Sequence, residues 1–204
     1  MHCFTRECRQ DDIAESLGLT WRDLYDAPQG EDLAVYRYDD GRTVHRRQDK
    51  RFFQTNHHST PTLYHAPRLA AAVERGAIVC LVEGEEDVHS LESVGAIATT
   101  APMGARNFDK VDVAPLAGAH VVAIPDNDDE GTRWAELVTA ALDGVTATLR
   151  FAHPAAGKDI SDHLAAGLGY NDLRFDEDPE QAVRDSTRQR YPALDLCTLL
   201  DPNR

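Results

Sequence analysis

The chain has 204 residues, with 21 Lys and Arg against 35 Asp and Glu, and a formal net charge of -14. This balance excludes a uniformly basic nucleic-acid-binding coat, but it leaves room for a local basic face. Hydrophobic residues make up 42%, enough for a folded core, and no apolar run approaches the roughly 20 residues that a membrane helix needs. With four scattered cysteines and no apolar signal core, we expect a cytoplasmic protein with no membrane partner.

The N-terminal part of the chain is predicted to contain two small units. Residues 1–30 form a first segment, and residues 31–76 form a small basic unit that is rich in β-structure. An Asp-Asp-Gly sequence between two strand-forming runs is typical of a hairpin turn, and a helix is expected after Pro67. The predicted elements are a strand over 33–38, a turn over 39–41, a returning strand over 43–47 and a helix over 67–75.

Residues 77–168 alternate between strand and helix patterns, which predicts a doubly wound α/β domain with a mainly parallel sheet. Residues 77–82 are continuously apolar, as in a strand that is buried on both faces. In such sheets ligands gather at the carboxyl ends of the strands. Residues 169–204 are predicted to be an acidic C-terminal extension. The predicted strands cover 77–82, 96–100, 120–125 and 145–151, with one helix over 85–94 and another that includes 134–142 and ends at Gly144.

Acidic clusters follow three of the predicted strands and cover residues 83–87, 126–131 and 157–162. If the strands are neighbours, Glu83, Asp126 and Asp128 converge at one rim, where carboxylates repel one another unless a cation or protons neutralise them. Oxygen ligands without His or Cys favour Mg²⁺ or Mn²⁺ over zinc. Any one cluster alone could simply complement a helix dipole. Their shared position favours a cation site.

The order of these motifs resembles the Toprim domain. That family has a Glu at the end of its first strand and an Asp-x-Asp at the end of a later one, and these match Glu83 in VEGEED and Asp126 and Asp128 in PDNDDEG. Asp87 and the following GKDISDHLAAG resemble the primase branch, especially phage and mobile-element primases. The resemblance covers residues 77–168 and implies a Rossmann-like, mainly parallel sheet, here preceded by the small β-rich unit.

The resemblance also implies divalent-metal-dependent, template-directed nucleotidyl transfer in DNA replication. Asp126 and Asp128 would hold Mg²⁺ or Mn²⁺ against a nucleoside triphosphate. Glu83 would be an acid/base residue or a metal ligand, with Asp87 supporting it as a catalytic residue. The remaining implied site residues are Asp159, as a further metal contact, and Lys158, as a nucleotide contact.

The partners that the resemblance implies are single-stranded DNA, nucleoside triphosphates, and a replicative helicase or a separate zinc-ribbon primase module. Two alternatives stay open. A metal-dependent nuclease would use the same domain to cut phosphodiesters. A non-catalytic module that binds single-stranded nucleic acid would hold a metal only structurally.

A basic strip lies within residues 42–51, with Asp49 as its one acid and His45 and the Phe52-Phe53 pair beside it. Basic side chains next to aromatic rings are typical of surfaces that follow a phosphate backbone while bases stack. A solvated hairpin face over a small core is an equal alternative. The candidate contacts are Arg42, Arg46, Arg47, Lys50 and Arg51.

Cys3 and Cys8 resemble the second half of the zinc ribbon that opens many primases. Two cysteines and His2 cannot by themselves complete the four-ligand set of a structural zinc site. We therefore expect unpaired thiols or a remnant of the ribbon, and no stoichiometric zinc.

Overall fold

The computed structural model describes residues 32–48, 51–56 and 60–176, together with residues 16 and 18. Cys3, Cys8 and Lys50 lie outside the described residues, so the predictions made on them stay predictions. The described residues form a three-stranded antiparallel sheet followed by a five-stranded, mostly parallel sheet with flanking helices. The predicted α/β fold class is confirmed.

The small sheet has the order β1-β2-β3. The predicted hairpin of β1 and β2 is present, and its turn is closed by a 2.9 Å hydrogen bond from the Tyr38 amide to the Arg42 carbonyl. Gly41 in this turn has φ 86°, a left-handed conformation that glycine adopts without strain. The third strand was not predicted. The strands are β1 (Asp32–Arg37), β2 (Thr43–Arg47) and β3 (Phe52–Thr55).

The large sheet has the order β5-β4-β6-β7-β8, with β8 as an antiparallel edge strand and all other pairs parallel. Its strands are β4 (Ile78–Val82), β5 (Ile97–Thr99), β6 (His120–Ile124), β7 (Thr148–His153) and β8 (Arg174–Phe175). The α-helices of residues 60–176 are α1 (Ala66–Glu74), α2 (Glu85–Ser93), α3 (Asp129–Leu142) and α4 (Ile160–Ala165). Short 3₁₀ helices cover Ala105–Lys110, Ala114–Leu116 and Tyr170–Asp172.

Two hydrophobic cores lie on opposite faces of the large sheet. Along β4, Val79 and Leu81 pack with α1 and α3, whereas Cys80 and Val82 pack with α2, α4 and the small sheet. This double burial explains why β4 is continuously apolar. It also fixes the small sheet on the same side of the large sheet as α2.

The carboxyl ends of β4 and β6 form a topological switch point. The chain passes from β4 to β5 on one side and then returns to β6 on the other, so the loops that follow β4 and β6 separate and leave a crevice between them. Ligands of open α/β sheets bind in such crevices. Within the described ranges, none of the helices has the length and apolar character that crossing a membrane requires.

Candidate active site

Glu83 and Asp126 meet at this switch point. The parallel register pairs Val82 with Ile124, so the residues that follow the two strands are brought side by side. The Asp126 backbone N–H donates a 2.9 Å hydrogen bond to Glu83 Oε1. The predicted convergence of the β4 and β6 ends is therefore present in the structure.

The Asp-x-Asp loop leads directly into α3. Asp128 is the N-cap residue, and its Oδ1 accepts hydrogen bonds of 2.9 Å from the backbone N–H groups of Glu130 and Gly131. A Cβ atom on Gly131 would lie 2.1 Å from the Asp126 carbonyl oxygen. Only glycine at this position therefore lets the helix begin so close to Asp126.

Lys158 forms ion pairs with both aspartates of this loop. Its Nζ lies 2.9 Å from Asp126 Oδ2 and 3.0 Å from Asp128 Oδ2. Asn127 connects the two loops: its backbone N–H donates to the Lys158 carbonyl at 2.7 Å, and its Nδ2 donates to the carbonyls of Pro154 and Gly157. The residue predicted as a nucleotide contact thus lies in an ion pair with the predicted metal ligands.

The charged states of these acids differ with their surroundings. Burial, together with the charges of Asp126 and Asp128, raises the pKa of Glu83 to about 7. Burial also raises the pKa of Asp126. Hydrogen bonds from the Gly131 amide and from Lys158 lower the pKa of Asp128, and the two aspartates raise the pKa of Lys158.

Asp87 connects α2 with α4, and Asp159 caps α4. Asp87 Oδ1 accepts hydrogen bonds from the Ser161 hydroxyl at 2.6 Å and from the Ser161 backbone N–H at 3.3 Å. Burial raises the pKa of Asp87 to about 6. Asp159 is the N-cap of α4 and accepts a 2.8 Å hydrogen bond from the Asp162 backbone N–H.

The chemistry of this site fits a divalent cation in part. Its donors are carboxylate oxygens, and the Lys158 ammonium shows that one cation can contact both Asp126 and Asp128. Across the residues that the structure describes, however, no three His, Cys, Asp or Glu side chains are grouped so as to hold a metal ion. Glu83 and Asp159 instead accept backbone hydrogen bonds. The arrangement therefore supports a cation position between Asp126 and Asp128. It does not bring Glu83 and Asp159 into the same set of ligands, as was predicted.

A groove of about 630 Å³ lies in front of these acids, and its other wall comes from the small sheet. Tyr36, Arg46 and Phe52 line that wall. The Arg46 guanidinium pairs with Glu86 of α2 and lies 5.9 Å from the centre of the Phe52 ring. Sequence reasoning did not place Tyr36 or Phe52 at the acidic site. The alternation of side chains along β1 would have placed Tyr36 on the inner face, but no local signal brings that face to the acids.

The candidate nucleic-acid contacts that the structure describes lie on more than one face of the small sheet. Arg46 faces the groove, whereas Arg47 lies on the opposite face of the small sheet, 4.8 Å from the centre of the Phe53 ring. Arg51 is exposed, and its backbone carbonyl accepts a hydrogen bond from the Arg47 backbone N–H.

Arg42 is a buried residue of the small sheet region. This residue is only 4% exposed, and its guanidinium pairs with Asp40 at 3.3 Å and contacts Gln54. A guanidinium held in this way is buried below the surface that a phosphate backbone would contact. Arg42 therefore stabilises the hairpin, and its contact with nucleic acid stays a prediction.

A buried hydrogen bond joins the two walls of the groove. The Tyr38 hydroxyl donates to Glu85 Oε1 at 2.8 Å, and both residues are buried. Burial raises the pKa of both groups. Because Tyr38 follows β1 and Glu85 begins α2, this bond fixes the small sheet against the segment that carries Glu83.

The comparison with known families identifies the domain that carries the site. Residues 78–168 match the Toprim domain family, and this part of the chain is a Toprim domain. The resemblance based on the acidic motifs is confirmed for the domain. No curated protein matched the chain.

Two primase structures are among the solved structures that show similarity to the chain. The first is the primase fragment of the bacteriophage T7 primase-helicase protein, with 22% identity, a TM-score of 0.48, and coverage of 66% of this chain and 57% of that one. The second is a DNA primase domain from Pseudomonas aeruginosa, with 20% identity, a TM-score of 0.45, and coverage of 78% and 49%. This chain thus spans only about half of the length of either structure.

Proposed function

We propose that this chain is a primase-type nucleotidyltransferase that depends on a divalent metal and is directed by a single-stranded DNA template. The Toprim domain and the order of its motifs support this proposal. One structural observation carries it. Glu83 and Asp126 line a groove whose opposite wall presents an arginine and aromatic rings, and Asp128 shares the Lys158 ammonium with Asp126.

The acids have distinct roles in this proposal. Asp126 and Asp128 would hold Mg²⁺ or Mn²⁺, which would supply positive charge against the transferring phosphoryl group and a lower pKa for the attacking hydroxyl. Glu83, whose pKa is about 7, accepts the proton of that hydroxyl, because a general base works best with a pKa close to the working pH. Asp87 supports the site from α2 through its bonds to Ser161.

The small sheet supplies the wall that contacts the template strand or the nucleotide. Arg46 provides a guanidinium suited to phosphate oxygens, and Phe52, which is 44% exposed, provides a ring on which a base can stack. The Tyr38–Glu85 hydrogen bond keeps this wall at a fixed distance from the acids. The proposed partners are nucleoside triphosphates, single-stranded DNA, and a replicative helicase or a separate zinc-ribbon module.

Labelled-nucleotide incorporation by the full chain tests the proposal. The protein is incubated with single-stranded DNA and labelled nucleoside triphosphates, with and without a pre-annealed primer, in Mg²⁺, Mn²⁺ or EDTA. We expect labelled product that requires the template, the nucleotides and the metal.

Two other outcomes would replace the proposal. Metal-dependent degradation of the DNA without nucleotides would identify a nuclease. Neither activity, with binding to single-stranded DNA retained, would identify a non-catalytic binding module.

A further inference from the structure

The loop that carries Lys158 is fixed at its backbone, whereas the Lys158 side chain is long and partly exposed. The Lys158 N–H donates a 2.9 Å hydrogen bond to Asp162 Oδ2, and the Lys158 carbonyl accepts from the Asn127 amide. Gly157 has φ 77°, and a Cβ atom there would lie 2.2 Å from Asp162 Cβ. The ammonium, in contrast, ends a flexible side chain that is 58% exposed.

We propose that Lys158 competes with the metal ion for its site. The ammonium lies between Asp126 and Asp128, at the position that the proposed cation would take. Binding of a divalent cation displaces it into the groove, where it contacts the phosphates of a nucleoside triphosphate. This inference rests on the proposed function because it requires the two aspartates to be metal ligands.

Competition follows from the geometry and charges of the site. The ammonium contacts Oδ2 of both aspartates, at 2.9 Å and 3.0 Å. A divalent cation bound to the same two oxygens would lie next to the ammonium, and like charges at such a distance repel. One position can therefore hold the lysine or the metal, but not both.

The direction in which the Lys158 ammonium moves follows from the fixed backbone of its loop. Since the backbone around Lys158 is anchored by Asn127 and Asp162, only the side chain can move when the aspartates release it. Lys158 lines the groove that faces Arg46, so the released ammonium stays in the groove. A compact ammonium on a flexible stem is well suited to following a phosphate group.

Mn²⁺ titration by calorimetry tests the competition. The proteins are the wild type, Lys158→Met, the Asp126→Asn/Asp128→Asn variant, and Arg75→Met as a charge-matched control. Arg75 is exposed at the end of α1, at the opposite end of β4 from the site. We expect Lys158→Met to bind Mn²⁺ about tenfold more tightly than the wild type, because two partly exposed ion pairs no longer compete. Arg75→Met should match the wild type, and the double variant should not bind.

The outcomes separate this inference from the proposed function. Equal Mn²⁺ affinity in the wild type and Lys158→Met would overturn the competition but leave a metal-dependent enzyme intact. The absence of Mn²⁺ binding in every variant would overturn the metal site itself. Thermal unfolding of each protein, and Lys158→Gln as a second variant, show whether the fold is retained.

A second titration tests the release into the groove. At saturating Mn²⁺, a non-hydrolysable ATP analogue should bind Lys158→Met about tenfold more weakly than it binds the wild type or Arg75→Met. Unchanged affinity would show that the displaced ammonium does not reach the phosphates. That result would overturn the second half of the inference.

Discussion

The acids that follow β4 and Asp128, which follows β6, differ in how the fold treats their charge. After β4, Glu83, Glu85 and Asp87 are largely enclosed, and burial raises the pKa of each. After β6, Asp128 is solvated, caps α3 and shares Lys158 with Asp126, so that its pKa is lowered. Acidic side chains at the same end of the sheet therefore have pKa values that are shifted in opposite directions.

This difference indicates a division of labour at the switch point. A carboxyl group with a pKa near 7 can gain or lose a proton at neutral pH, which suits proton transfer. A carboxylate that already holds an ammonium is arranged to hold a cation. The surroundings, rather than the residue type, separate the two roles.

The largest contrast is expected between the two glycines that accompany these acids. A Cβ atom on Gly131 would clash with the Asp126 carbonyl, whereas on Gly84 it would lie 3.4 Å from Asp87 Oδ2, in ordinary contact. We expect Gly131→Ala to lower the free energy of unfolding by about 2–4 kcal/mol, although alanine has the better helix propensity. Gly84→Ala should cost less than about 1 kcal/mol. Urea unfolding of both variants measures this, and equal losses would contradict the difference.

A smaller effect concerns the pH dependence of stability. Burial raises the pKa of Glu83 from 4.5 to about 7. Because the folded state then binds this proton more tightly than the unfolded state, its contribution to stability is full below pH 4.5 and is lost as the pH rises through about 7. Since Glu83 keeps some contact with solvent, we expect a loss of about 1–2 kcal/mol.

Glu83→Gln should remove this loss. The difference in unfolding free energy between the wild type and this variant, measured in urea with EDTA, should change between pH 5 and pH 8 in the direction that disfavours the wild type at pH 8. The same difference at both pH values would show that Glu83 titrates as an ordinary exposed acid.

The smallest expected effect is a difference between the two arginines of β2 in the salt dependence of DNA binding. Arg46 faces the groove with the acids and Arg47 faces away. Arg46→Ala should reduce the slope of log K against log salt for single-stranded DNA by about 0.7, the value for one phosphate contact. Arg47→Ala, the matched control, should leave the slope unchanged if the groove is the binding surface. Equal changes in both variants would assign binding to a surface that includes both faces of the small sheet.

Much of the fold could be predicted because its signals are local. The apolar run of β4 and the turn after β1 identify their elements directly. The start of β7 was placed too early: Val145 has a strand-forming side chain, but its amide closes the turn after α3 by donating to the Leu142 carbonyl. The strands β3 and β8 have only four and two residues, too few for an alternating pattern to show.

The candidate site could be predicted only as far as strand order allowed. Glu83 and Asp126 follow two core strands, so their convergence depends on topology alone. The ion pairs of Lys158 depend on the path of the loop after β7, and that loop has no periodic pattern. The burial of Arg42 depends on its contacts with Asp40 and Gln54, and no sequence signal predicts these contacts.

The most direct test of the account compares nucleotide incorporation by the wild type with that of Asp126→Asn/Asp128→Asn. Asparagine caps a helix as well as aspartate does, so α3 should still form, and exposed Asp143 provides a control as Asp143→Asn. The account predicts template-dependent incorporation in Mg²⁺ or Mn²⁺ by the wild type and the control, and a loss of at least about a thousandfold in the double variant. Incorporation by a folded double variant at the wild-type rate would contradict it.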